Sequence, residues 1–176
     1  MKNVLIISSS PRRNGNSDTL AEEFARGARE SGNKVKKVFL ADKNIGYCTG
    51  CGACVSSGVC SQNDDMYDLI DDMQNADVVV FATPVYFYTM CGQMKTFIDR
   101  LCPAYESLGN KDYYIIATAA ETDASVLKRT VNEFGGFFDC LDNPNVKPAI
   151  LGTGAWQAGE ISAKFRKQAY DTGKNV

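Results

Sequence analysis

Apolar runs of strand length alternate along this chain with longer stretches in which apolar residues return every three or four positions. The run VLIIS at 4–8 is continuous, as a strand covered on both faces would be. Leu20, Phe24 and Ala28 follow at four-residue spacing and predict a helix, and KVKKVFL at 34–40 predicts a second strand. After Asp64 and Asp65, the residues Met66, Leu69, Ile70 and Met73 share one helical face and lead into ADVVVFATP at 76–84, the most hydrophobic strand of the chain. Met94, Phe97, Ile98 and Leu101 mark a third helix, DYYIIATAA at 112–120 a fourth strand, and Leu127, Val131 and Phe134 a fourth helix. A last strand near VKPAILGTG at 146–154 and a helix carrying Ile161 and Phe165 complete the pattern.

Five strands, each followed by a helix through a right-handed crossover, leave few topologies. The pattern predicts a flavodoxin-like three-layer αβα sandwich around a five-stranded parallel sheet of order 2-1-3-4-5, whose ligand crevice lies beyond the carboxyl ends of strands one and three. With 176 residues and no repeat, linker or low-complexity segment, residues 1–176 read as a single domain. The loops after VLIIS, VVVFA and YIIATA are therefore the informative ones.

The first loop, SSSPRRNGNSDTL at 8–20, sets small hydroxyl residues, a glycine and two arginines between a buried strand and a helix start. Asn16 or Ser17 can cap that helix, whose free first-turn N–H groups and dipole favour an anion. Ser10 and Ser17 supply hydroxyl donors, and Arg12 or Arg13 a charge-assisted contact. The loop carries neither G-x-G-x-x-G nor G-x4-G-K-[ST], so a monophosphate fits it better than a dinucleotide or a nucleoside triphosphate. The third strand ends in Pro84 and Val85, followed by Tyr86, Phe87 and Tyr88. A proline there is expected to stop the ladder and free the following N–H groups. Three aromatics at a sheet edge can wall a flat heterocycle, and at least one of them is expected to pack instead under the next helix or in a subunit contact. Phosphate loop and aromatic loop together describe FMN, with TAAETD at 118–123 bordering the ring's polar edge.

Charge narrows the class further. A formal net charge of −2 with no basic patch interleaved with aromatics excludes nucleic acid and acidic membrane as expected partners. The apolar run at the N-terminus is too short for a signal-peptide core or a membrane span, so a cytoplasmic protein is expected. Thiols stay reduced in that compartment. Four of the seven cysteines, Cys48, Cys51, Cys54 and Cys60, fall in YCTGCGACVSSGVC at 47–60, between the second strand and second helix. Thiolates in this compact spacing suit a [4Fe-4S] cluster, although the proline after the fourth cysteine of bacterial ferredoxins is missing. Free or reversibly oxidised thiols near a flavin, and zinc, remain as alternatives. Cys91, Cys102 and Cys140 read as isolated buried small hydrophobes, with a role kept open for Cys91 near the aromatic loop.

SSSPRRNGNSDTL, the C-x2-C-x2-C-x5-C run followed by QNDDM, ADVVVFATPVYFY and GQMKTFIDR resemble the NADPH-dependent FMN reductase group of the flavodoxin-like superfamily, particularly its iron-sulfur flavoprotein branch. The motifs extend from the first strand to the third helix, and the last seventy residues agree in pattern. The resemblance implies tightly bound FMN and assembly as a homodimer or homotetramer. It implies that Ser10, Arg12, Asn16 and Ser17 hold the phosphate, that Pro84, Val85, Tyr86 and Phe87 border the isoalloxazine, and that Cys48, Cys51, Cys54 and Cys60 hold a cubane. Thr118 and Ala119, from the third loop, join the cofactor set. SSSP stands where many relatives carry a glycine before the last serine, a mild departure because Ser9 is small.

The chain has no histidine, which removes the usual Ser-His-Asp and Cys-His chemistry but costs a flavoenzyme little. The first expectation is an NAD(P)H-dependent oxidoreductase passing electrons to a quinone, a nitroaromatic or free flavin. An electron carrier that accepts from ferredoxin through a [4Fe-4S] cluster is the second, and a non-catalytic scaffold with structural zinc the third. GTGAWQAGE at 152–160 starts like a dinucleotide fingerprint, but Gln157 replaces the third glycine and the segment reads as a loop.

Overall fold

The computed structural model describes residues 1–176. In chain order the elements are β1 (Asn3–Ser8), α1 (Asn16–Glu30), β2 (Lys34–Phe39), α2 (Ala53–Ser57), α3 (Met66–Asn75), β3 (Val78–Tyr86) and β4 (Thr89–Met90). They continue with α4 (Gly92–Asp99), β5 (Asp112–Thr118), α5 (Lys128–Phe138), β6 (Asn145–Val146), β7 (Ile150–Gly152) and α6 (Ala163–Lys174). The parallel strands lie in the order β2-β1-β3-β5, and β6 and β7 both pair with the outer edge of β5.

Within each apolar run the side chains divide by parity, because successive residues of a strand face opposite sides. Val4 and Ile6, Val78 and Val80, and Tyr114 and Ile116 meet α1 through Leu20, Phe24 and Ala28, and α6 through Ala169. Leu5 and Ile7, Val79 and Phe81, and Tyr113 and Ile115 meet α3 through Met66, Leu69 and Met73, α4 through Met94 and Phe97, and α5 through Phe134 and Phe138. Phe81 lies at the middle of the second face, its ring 5.4 Å from that of Phe134 and nearly parallel to it. Each such side chain contributes on the order of 1.5–3 kcal/mol on burial, so the layers hold through these stripes rather than through helix propensity.

The structure departs from the sequence reading at two strands. The fifth strand is divided into β6 and β7 around Lys147 to Ala149, where Pro148 offers no N–H to a ladder. The third strand does not stop at Pro84. Pairing continues through Pro84 and Thr118, and Val85 and Tyr86 then pair antiparallel with Met90 and Thr89 of β4. The reason is parity. Ala82 turns its carbonyl to Ser9 N–H on the β1 side, so Pro84 faces that side too, where β1 has already ended. The missing N–H costs no sheet bond.

Candidate functional site

A cleft of about 440 Å³ opens beyond the carboxyl ends of β1, β3 and β5, within the range usual for a small-molecule cofactor. Ser10, Arg12, Asn16, Ser17, Pro84, Val85, Tyr86, Thr118 and Ala119 all line it. Phe87 does not: it sits 98% exposed at the tip of the β3–β4 hairpin. Its φ of 51° and the φ of 67° at Tyr88 make the left-handed pair of a two-residue hairpin turn, which swings both rings out of line with Tyr86.

The loop from Ser8 to Gly15 is held rigid before any ligand arrives. Asp18 accepts from the Ser8 hydroxyl and the Asn14 N–H, each at 3.0 Å, and pairs with Lys37 at 2.7 Å. Ser10 Oγ donates to the Arg12 carbonyl at 2.7 Å and accepts from the Arg12 N–H at 3.2 Å. Gly15 packs onto this turn so closely that a Cβ would stand 2.8 Å from Ser10 Oγ. Arg12 lines the cleft, whereas Arg13 is turned away onto Asp42 and over the Phe39 ring at 4.7 Å. Cys91 stitches the loop from below, its Sγ donating to Ser9 Oγ at 3.1 Å while its N–H donates to Thr83 Oγ1 at 3.2 Å.

The start of α1 corrects the expected caps. Gly15 is the N-cap and no side chain caps the helix. Asn16 instead donates to the carbonyls of Ala155 at 3.1 Å and Gln157 at 2.9 Å, and accepts from Ile161 N–H at 3.3 Å. Its amide is spent on holding the 155–161 loop, so it positions that loop rather than reaching for an anion. Ser17 is different. Its Oγ is buried with no hydrogen-bond partner, in the cleft wall beside the unpaired first-turn N–H groups. Leaving a hydroxyl so costs about 1–3 kcal/mol, which an oxyanion in the cleft would recover. The phosphate of FMN therefore fits this end.

The opposite rim was missed in the sequence. Ala155, Trp156 and Gln157, from the segment read as a plain loop, line the cleft. The loop is latched to the end of β5, with Ala155 N–H donating to the Ala119 carbonyl at 3.1 Å and Gly154 N–H to the Glu121 carbonyl at 2.7 Å. Glu160 accepts from the N–H groups of Trp156 and Gln157 at 2.8 and 2.7 Å. The chain's single tryptophan, 71% exposed, was the available signal.

The cysteine run forms a surface loop around the five-residue α2. Its two ends are tied together by a buried ion pair, Arg100 with Asp64, whose side chains are 1% and 8% exposed. Arg100 donates to Asp64 Oδ2 at 2.7 Å, Asp64 Oδ1 at 3.0 Å, the Gly46 carbonyl at 2.6 Å and Gln62 Oε1 at 3.2 Å. Its hydrogen bonds to Asp64 and the charge of that carboxylate, with support from the sulfur of Cys60, hold its guanidinium above its ordinary value. Arg100 Nε is buried without a partner. Cys51 accepts or donates with Ser61 Oγ at 3.4 Å, and this contact, with the Ala53 N–H and the Thr49 hydroxyl, holds its thiol below the ordinary value. Two of the isolated cysteines are not buried as expected: Cys102 and Cys140 are exposed. Cys102 Sγ lies 3.7 Å from Cys54 Sγ, and that contact, followed by burial and the sulfurs of Cys48 and Cys60, pushes its thiol up. Thiolate chemistry suits iron or zinc, yet no three His, Cys, Asp or Glu side chains converge where one ion could sit. A cubane takes one thiolate on each of four irons rather than several on one ion, and Cys48, Cys51, Cys54 and Cys60 supply that number and chemistry within one surface loop.

The family described as NADPH-dependent FMN reductase matches residues 2–163. The chain belongs to that family. An iron-sulfur flavoprotein of Methanocaldococcus jannaschii is 32% identical over 137 residues, covering 77% of this chain and 70% of its own. An iron-sulfur flavoprotein of Archaeoglobus fulgidus is 44% identical over 103 residues, covering 58% of this chain and 46% of its own. The chain thus spans about half the length of that relative and places itself in the iron-sulfur flavoprotein branch of the FMN reductase family. An azoreductase structure from Bacillus anthracis shares the flavodoxin-like fold, with a TM-score of 0.78 at 18% identity over 100% of both chains. No helix is long and apolar enough to cross a membrane.

Proposed function

We propose that this chain holds FMN in the cleft and oxidises NAD(P)H, passing the electrons to a small acceptor such as a quinone, a nitroaromatic or free flavin. The observation that carries the reading is the buried, unpartnered Ser17 hydroxyl at the start of α1, in a cleft whose other walls are Pro84 to Tyr86 and the rim at Trp156. Bound FMN would supply the redox chemistry, since its ring exchanges electrons singly or in pairs. The chain's part is binding and orientation. Arg12, Ser17 and the first turn of α1 neutralise the phosphate. Tyr86, Thr118 and Ala119 border the ring, and Asn16 keeps the Trp156 loop at the mouth. Family membership supports the oxidoreductase class. Trp156, exposed at the rim, and Phe87, exposed at the tip of the β3–β4 hairpin, support a homodimer or homotetramer in which a second copy covers these rings.

The test is a fluorescence titration of the purified protein with FMN, followed by NADPH and NADH oxidation with a quinone. Saturable binding of one FMN per chain and acceptor-dependent turnover support the reading, and a protein that binds no FMN overturns it. A second reading, an electron carrier with a [4Fe-4S] cluster, is favoured by the spacing of Cys48, Cys51, Cys54 and Cys60 and by the names of the relatives. About four irons with matching sulfide per FMN in anaerobically purified protein would favour it.

A further inference from the structure

Cys102 lies outside the four-cysteine run, 48 positions from Cys54, and yet the two sulfurs are 3.7 Å apart. This is close to van der Waals contact, and both thiols are free. The contact has a structural cause. Arg100, two residues before Cys102, grips Gly46 and Asp64 at the two ends of the cysteine loop and so draws the loop onto the end of α4. Leu101, beside Cys102, is fully packed in the core, which fixes the position of Cys102. Cys54 stands instead in the first turn of α2, a five-residue helix with no buried residue. A disulfide needs its sulfurs about 2.05 Å apart, so less than 2 Å of approach is required, and α2, which buries no residue, can supply it without disturbing the core.

We propose that Cys54 and Cys102 are a redox pair that closes to a disulfide by exchange with a low-molecular-weight or protein disulfide. One thiolate attacks a sulfur of the incoming disulfide, forming a mixed disulfide and expelling one thiol. The second protein thiolate then attacks the protein sulfur of that mixed bond, forming the Cys54–Cys102 bridge and expelling the second thiol. The protein gives up two protons and two electrons, and the incoming disulfide becomes two thiols. Closure takes Cys54 out of the C-x2-C-x2-C spacing, so the oxidised chain presents three thiols of the run instead of four. Whatever the run binds is thereby put under redox control. The inference is independent of FMN binding.

The experiment treats the full chain with excess oxidised glutathione, both as purified and after iron and zinc have been removed with a chelator under argon. Free thiols are alkylated, the protein is digested without reduction, and linked peptides are identified by mass spectrometry. A Cys54–Cys102 bridge in either sample, reversed by dithiothreitol, lost in Cys102→Ser and kept in Cys51→Ser, supports the proposal. Bridges confined to the 48–60 run with Cys102 alkylated, or seven alkylated thiols in both samples, overturn it. Flavin content read on the same samples reports separately on the proposed function.

Discussion

Removing the Arg100 guanidinium should be the most damaging single change outside the sheet. Arg100→Met keeps much of the volume but takes four hydrogen bonds from the neck of the cysteine loop, two of them charge-assisted contacts to Asp64. Breaking a buried pair by deleting one partner costs roughly 3–5 kcal/mol, because the other charge is left buried. Asp64 keeps two backbone donors, Gly46 N–H at 3.0 Å and Met66 N–H at 3.1 Å, which places the expected cost at the lower end. A loss of about 3 kcal/mol corresponds to a fall in Tm of about 6–12 °C for a chain of this size. Urea denaturation of the wild type, Arg100→Met, Asp64→Asn and the double variant would show it, with a double-mutant coupling above about 1 kcal/mol. The pH dependence adds a second check. Burial alone would raise the Asp64 carboxyl, but the Arg100 hydrogen bonds, helped by the Gly46 and Met66 N–H groups, reverse this and hold it below its ordinary value. A depressed carboxylate stabilises the fold above its unfolded pKa and loses that contribution as pH falls through the folded one. The gap between wild type and Arg100→Met should therefore be flat from about pH 5 to 8 and shrink below about pH 4. A cost under about 1 kcal/mol at pH 7, or a gap that widens in acid, would refute the argument.

Three further outcomes are expected. Ser17→Ala should weaken FMN binding by about 5- to 30-fold in a fluorescence titration, equivalent to 1–2 kcal/mol, while leaving the melting temperature of the flavin-free protein unchanged or higher. Arg12→Ala should weaken FMN binding and reduce its salt dependence, whereas Arg13→Ala, which loses only the surface contacts with Asp42 and Phe39, should leave affinity within about twofold. Phe87→Gly should raise stability by about 0.5–1 kcal/mol in urea, because a side chain exposed at φ 51° has strain to lose and little packing.

The parallel sheet and the family were legible because their signals are local. Continuous apolar runs at 4–8, 76–84 and 112–120 became β1, β3 and β5, and three- and four-residue spacings became the helices that cover them. Nine of the ten residues named for the cofactor line one cleft, since the strand ends that carry them are fixed by topology. What escaped depends on contacts between distant segments. The use of Asn16 as a latch requires knowing where residues 155–161 fall, 139 and more positions away. The meeting of Cys54 with Cys102 depends on Arg100 gathering the loop ends, and no spacing within YCTGCGACVSSGVC announces it. The continuation of β3 past Pro84 follows from which neighbour strand has ended, a property of the sheet and not of the proline.

The Asn16 latch makes the two ends of the cleft one thermodynamic unit. Its single amide touches the first turn of α1 by covalent position and the Trp156 loop through three hydrogen bonds. Ordering either end stiffens the other, and linkage makes the effect equal in both directions. A molecule that settles against Trp156 should tighten the grip on a phosphate at Ser17, and a phosphate at Ser17 should tighten the seat at Trp156 by the same factor. Cofactor retention and acceptor affinity would then rise and fall together, with Asn16 as the lever that sets how strongly.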